Sequence, residues 1–350
     1  MRFLVLISCL ALVTVSAAYG RTWHVPAEAP TIQAAIDSAT ADDVIQVACG
    51  TYFEWGLTMT APITLRSETG DPDCVIIDAM SVDTVFYCDW SAGTASVEGI
   101  TITGGNGELS GGVLMTGAAS IDFIRCNLLE NYGGHAPGGG RGGGVGCMDQ
   151  SRALFQDCHM VGNGAYGGGG IYCEGQAEIG LESCLLVNNS SVWGGGVEVR
   201  DTSICTITSC TIFGNYSDAW YGAGVTSWSS TSPQITRTII AFSVAGSAVY
   251  GICELTDCDL FGNEHGDWVG DITEQIDLRG NFYAPPCFCD AVGGDFFLCA
   301  DSYCLPENNP WGRDELVGAY GEGCVACDCP SQGPVQAEDM SWGSLKTLYR

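Results

Sequence analysis

Four short strings along the chain share one pattern of apolar and polar positions: Cys126-Asn127-Leu128-Leu129-Glu130-Asn131, Cys158-His159-Met160-Val161-Gly162-Asn163, Cys184-Leu185-Leu186-Val187-Asn188-Asn189 and Cys210-Thr211-Ile212-Phe213-Gly214-Asn215. Their first residues lie 32, 26 and 26 apart, and the register extends up to Cys74 and Ile100 and down to Thr238, Cys258 and Ile276. Asn263 and Asn281 repeat the closing Asn. A glycine-then-aliphatic string stands 13 residues earlier each time, at Val113, Val145, Ile171, Val197 and Val225. Further apolar columns run through Val97, Phe123, Phe155, Leu181, Ile207 and Ile235, through Ile76, Ile102, Leu128, Met160, Leu186, Ile212, Ile240 and Leu260, and through Cys147, Cys173 and Val199. Their neighbours, such as Gln156, Asp157 and Glu182, are polar. Alternation with period two predicts short strands with one buried face.

No window carries a 3.6-residue stripe of useful length, and glycine recurs too often for helices. A fixed repeat of short strands predicts an all-β, right-handed parallel β-helix, in which like residues stack about 4.8 Å apart. Nine to ten coils would make a rod about 45 Å long by that spacing. The repeated Asn is expected to stack at a bend in left-handed geometry and bond to its counterparts in neighbouring coils.

The ends read differently from the coils. Arg2 and an apolar run from Phe3 to Val15, followed by small residues, predict a signal peptide over 1–20. That run is too short to span a membrane, and no later segment reaches the necessary length. Residues 21–60 form the expected N-terminal cap and first coil, 61–285 the coils, 286–329 a Cys-rich closing coil, and 330–350 a flexible tail whose aromatic, basic ending is alternatively a sorting or docking signal. Ile32, Ala35 and Ile36 have the spacing of a short amphipathic capping helix.

Trp23-His24-Val25-Pro26, Pro30-Thr31-Ile32-Gln33-Ala34-Ala35-Ile36-Asp37, Asp42-Asp43-Val44-Ile45-Gln46-Val47 and Gly50-Thr51-Tyr52 resemble the entry segment of the pectate-lyase-like β-helix superfamily. Gly294-Asp295-Phe296-Phe297-Leu298, Asp301-Ser302 and Gly318-Ala319 resemble its closing coil. The resemblance implies the fold, and it raises a polysaccharide lyase or glycoside hydrolase as an expectation. Members that cleave or de-esterify pectin are expected to carry an Arg or Lys base beside calcium-binding acids, Asn-Thr-Asp with Gly-His-Gly, or Gln-Asp-Thr. None of these sets stands in the chain. The Gly-Gly-aliphatic and closing-Asn pattern is also similar to repeats of polymorphic outer-membrane surface proteins, although no membrane-barrel region is visible.

Charge and cysteine narrow the picture. With 12 basic against 41 acidic residues, the net charge is −29, and removing the signal segment costs one Arg and no acid. Such a chain is not expected to bind nucleic acid or anionic lipid. Nineteen of the 20 cysteines follow the signal segment, and export to an oxidising compartment predicts disulfides. Cys126, Cys158, Cys184 and Cys210 stack too far apart for easy bridging and read as buried thiols. Cys287, Cys289, Cys299, Cys304, Cys324, Cys327 and Cys329 read as staples of the cap, with zinc the alternative.

Candidate chemistry lies on the turns. The connection after each closing Asn carries Tyr132 and His135, then Tyr166, then Trp193, then Tyr216, Trp220 and Tyr221. These rings either cover the Gly-rich loops beneath them or make a ligand-binding row of Tyr166, Trp193, Trp220 and Tyr221, with His135 at its edge. Asp149, Glu174 and Asp201 line one turn of three coils, as a solvated row or as a Ca²⁺ site, the one possible cofactor. Arg152 is placed beside Glu178, and Arg200 beside Glu174, as surface ion pairs. The expectation is a secreted or cell-surface protein, non-catalytic, whose loops bind glycan or a surface protein. An enzyme on extracellular polysaccharide and a structural envelope component are the alternatives.

Overall fold

In the computed structural model, described for residues 20–327 apart from 90–92, 135–138, 219, 311, 313 and 326, each coil contributes a strand to three long sheets. The expected signal peptide (but for its last residue), His135, Cys329 and the tail over 330–350 lie outside the described residues. The first sheet has ten strands, from Thr22–Val25 to Glu254–Thr256; the second has nine, from Gly50–Tyr52 to Asp259–Phe261; the third has eight, from Leu57–Met59 to Ser247–Tyr250. Every neighbouring pair within them is parallel. The fold is a right-handed parallel β-helix of about 11 turns, slightly more than the repeat spacing predicts.

The columns form as expected. Phe123 pairs with Phe155, Phe155 with Leu181 and Leu181 with Ile207 on the first sheet, while Leu128, Met160, Leu186 and Ile212 align on the second. All are buried, and the Phe123 and Phe155 rings stack 4.8 Å apart and nearly parallel. Each such side chain contributes about 1.5–3 kcal/mol by leaving water. The glycine before each aliphatic landmark has a steric cause. A Cβ on Gly144, Gly170 or Gly196 would sit 2.6–2.7 Å from a carbonyl oxygen of the next coil.

Two polar columns join the core. Asn131 donates its amide and its Nδ2 to Asn163 Oδ1, and Asn163 and Asn189 repeat this toward Asn189 and Asn215. The left-handed residue, however, is the one before each Asn: Glu130, Gly162, Asn188 and Gly214 have φ of 50°, 65°, 52° and 62°. A corner residue in that geometry stays outside and turns the next side chain inward. Cys126, Cys158, Cys184 and Cys210 are buried thiols, and the amides of Cys126 and Cys184 donate to the sulfur one coil on, at 3.4 Å.

The register fails at both ends. Cys74 bonds to Cys49, so Val75 fills the inward position and Ile77, not Ile76, pairs with Ile102. Ile276 follows a 3₁₀ turn over Gly270–Gln275 and is exposed, and Asn281 donates to Leu255 O and accepts from Cys258 N rather than joining the Asn column. The capping helix forms over Ile32–Ser38, with Thr31 Oγ1 accepting from Ala34 N and Ile32, Ala35 and Ile36 buried as expected.

At the other end, Phe288–Asp290, Asp295–Cys299 and Glu322–Cys324 form a small sheet. Its Phe288 and Phe296 pack on Phe213, so this segment covers the outer face of the second sheet. Cys289–Cys324 and Cys299–Cys327 are disulfides and Cys287 is disulfide-bonded, so these sulfurs form the expected staples. Cys304 is no staple. It stays a buried thiol and donates to Asp259 Oδ2.

Candidate ligand-binding groove

The connection after each closing Asn folds back over the outside of the third sheet and pairs with its counterparts. Gly164–Gly167, Ser190–Trp193 and Tyr216–Ser217 make a three-stranded parallel sheet. Single bridges extend it to Tyr132 and Val244, so Tyr132, Gly164, Ser190 and Tyr216 form one column. Three coil steps separate the two tyrosines, about 14 Å by strand spacing. Small residues between them leave a groove of about 370 Å³, lined by Tyr132, Tyr166, Tyr216, Ser190, Ser191 and Asp218 among others. A Cβ on Gly164 would lie 3.0 Å from the Tyr132 ring and push it by a few tenths of an ångström, so the glycine lets the ring lie close over the strand.

The groove's polar groups are few. Ser191 is only 6% exposed, and its buried Oγ has no hydrogen-bond partner. Leaving a buried hydroxyl unpaired costs about 1–3 kcal/mol. Tyr216 donates its hydroxyl to Asp218 Oδ1 at 2.6 Å, and this bond, then burial, raises its pKa. Burial, then the Glu130 charge, raises that of Tyr132.

Beyond Tyr166 the arrangement changes character. Trp193 packs its ring against Tyr166, with centroids 4.9 Å apart. Arg200 lies 5.1 Å from the Trp193 centroid and donates Nε and Nη2 to the same oxygen, Glu198 Oε1, both at 2.6 Å. Glu198 is wholly buried, its Oε2 faces Gly167, and the Gly168 backbone amide donates to the carboxyl. Burial raises its pKa to about 7, against the opposing pull of Arg200. Arg200 therefore pairs with Glu198, not with Glu174 as its place in the repeat predicts. Glu174 pairs instead with Arg141 at 2.8 Å and accepts from Tyr172 at 2.7 Å. The predicted Arg152–Glu178 neighbours do form, 3.8 Å apart and exposed.

The predicted aromatic row is only partly brought together. Tyr166 and Trp193 touch, but Gly167 is the residue that pairs with Trp193. Trp220 stands apart, 77% exposed with φ of 66°, its ring 4.5 Å from His265. Tyr221 packs with Trp228 and Tyr250 in a separate cluster. The three carboxylates are also dispersed. Asp149 Oδ2 accepts from Gly117 N and Asp201 Oδ2 from Gly175 N, so Gly175 lies between them in the column and Glu174 is one residue out of step.

Tyr132 and Tyr216 were visible in the sequence as loop aromatics, yet nothing there distinguished them from Trp193 or Trp220. Ser191 and Glu198 were missed. The available signal for Glu198 was its column: Leu114, Gly146, Tyr172, Glu198 and Thr226 occupy one outward position, with one charge among them.

Residues 111–283 match the family described as "Right handed beta helix region". The chain is a right-handed β-helix. Solved β-helix structures similar to it include the pectate lyase Pel9A, 13% identical over 83% of this chain and 91% of that one with a TM-score of 0.42. A pectin methylesterase from Aspergillus niger is 12% identical over 76% and 95%, with a TM-score of 0.38. The rice weevil pectin methyl esterase is 14% identical over 79% and 90%, with a TM-score of 0.36. Identities of this order carry no information on the chemistry of this β-helix. No curated protein matches its sequence. Among the described residues, no helix is long and apolar enough to cross a membrane.

Proposed function

We propose that this β-helix is exported and binds glycan through the tyrosine-lined groove, as a non-catalytic secreted or surface protein. Export is supported by the apolar N-terminal segment and by disulfides such as Cys49–Cys74, which require an oxidising compartment. Glycan binding rests on one observation: the Tyr132, Tyr166 and Tyr216 rings stand around one groove, with the exposed Ser190 between them. Aromatic faces stack on the C–H faces of sugar rings, and neutral stacking of this kind tolerates the acidic surface. A glycan array on the protein, followed by titration of its best hits, tests the reading. Tyr132→Ala and Tyr216→Ala should each weaken binding tenfold or more with little change in melting temperature. Glycan binding that persists in the double variant would refute it.

A polysaccharide-cleaving enzyme is the second reading, and Glu198 is the observation that favours it. A buried carboxyl that titrates near neutrality beside an arginine is a common form of catalytic acid. Against it, Glu198 lies beneath Gly167 and is wholly buried. Release of sugar fragments by the wild type but not by Glu198→Gln would establish this reading over the first.

A further inference from the structure

We infer that the groove prefers amine-bearing glycans over uronate-bearing ones, and that Asp218 is the residue that sets this preference. The inference rests on the groove reading above and names the charge class of its ligand. Asp218 is exposed at the groove beside Tyr216, with Oδ1 held by the tyrosine hydroxyl. The charges of Asp218 and Glu264 bear on Tyr216, and that of Glu130 bears on Tyr132, so both ends of the groove sit in negative potential.

Among the described residues, the lining contains no Lys, Arg or His to balance them. The guanidiniums on the Trp193 side are engaged, Arg141 with Glu174 and Arg200 with Glu198. The whole chain carries a net charge of −29, which adds to the same sign of field. A uronate carboxylate entering here would meet like charge at both ends and find no partner. An ammonium on a hexosamine would meet Asp218 while its ring lies against Tyr216. Tyr132 and Tyr216, about 14 Å apart by strand spacing, leave room for a short oligosaccharide and not for one ring alone.

Calorimetric titration with three probes at low salt tests this: chitosan oligosaccharides with free amines, the N-acetylated oligomers, and oligogalacturonate. The free-amine oligomers should bind at least tenfold tighter than the N-acetylated ones, and oligogalacturonate weakest. Asp218→Asn should bring the ratio of free-amine to N-acetylated affinity close to one, and added salt should shrink the ratio in the wild type. Equal affinities for the three probes, or tightest binding of oligogalacturonate that Tyr216→Ala abolishes, would overturn the charge preference and leave the groove standing. If no probe shows binding that depends on Tyr132 and Tyr216, the groove reading falls and the preference with it. Groove-dependent binding of a basic peptide and of no sugar would overturn both in favour of a peptide ligand.

Discussion

On the first sheet, Arg152, Glu178, Glu182 and Thr206 point outward and are exposed, whereas on the third sheet Leu114, Tyr172, Glu198 and Thr226 point outward and are buried. The strands have the same pleat and the same coil spacing, so local geometry does not make the difference. The connections after the closing Asn do, by folding back over the third sheet as Gly164–Gly167, Ser190–Trp193 and Tyr216–Ser217. A bare sheet face tolerates substitution, while a roofed one behaves as a second, thinner core with polar groups sealed inside it. That roof also supplies the tyrosines of the groove, so the candidate chemistry lies on a covered side of the rod.

The comparison needs a reference from the true interior. Leu186 is buried between Met160 and Ile212, so Leu186→Asp should cost several kcal/mol in chemical denaturation, the largest effect expected. Next, Tyr172→Ala on the roofed face should cost about 2–4 kcal/mol, as a core truncation does. Near-neutral behaviour of that variant would show that the roof packs loosely and break the comparison.

The third effect depends on pH. The Glu198 pKa is raised from 4.5 to about 7, so the folded protein binds a proton the unfolded chain has already lost. The stability linked to it is complete below about pH 4.5 and falls as pH rises to 7, by up to about 3 kcal/mol. Burial drives this upward shift, Arg200 opposes it, and the nearby Glu174 charge adds to it. Glu198→Gln should remove that slope from melting curves collected between pH 5 and 8, and an unchanged slope would place the titrating group elsewhere. Smallest of all, Arg152→Ala on the bare face should change stability by less than about 0.5 kcal/mol, since its partner Glu178 is exposed too.

How far the sequence could be read follows from the same contrast. Inward columns were legible because stacking repeats one residue class at one spacing, as in Phe123, Phe155 and Leu181. The reading slipped by one residue at Ile76, where the coil length changes, and failed at Ile276, where a 3₁₀ turn replaces the strand. Glu198 looked like an ordinary outward polar residue because alternation reports which way a side chain points and nothing about what lies over it. Tyr166 and Trp193 stand five and four residues before their landmarks, and the expected row ignored that offset, which puts Gly167 rather than Tyr166 opposite Trp193.

The column of Cys126, Cys158, Cys184 and Cys210 has a consequence for how the molecule must be made. These sulfurs are sealed in the finished rod, in a protein that also carries disulfides such as Cys49–Cys74. During biogenesis all of them start equally accessible to oxidant, so coil closure must outrun indiscriminate thiol oxidation. Cys184 trapped in a bridge to a cap cysteine would leave the coil unable to stack, and the chain would stall as a covalently scrambled species. Refolding in reducing buffer with oxidant added afterwards should therefore give a higher yield than refolding with oxidant present from the start. In the product, a maleimide should label none of these four thiols until denaturant is added.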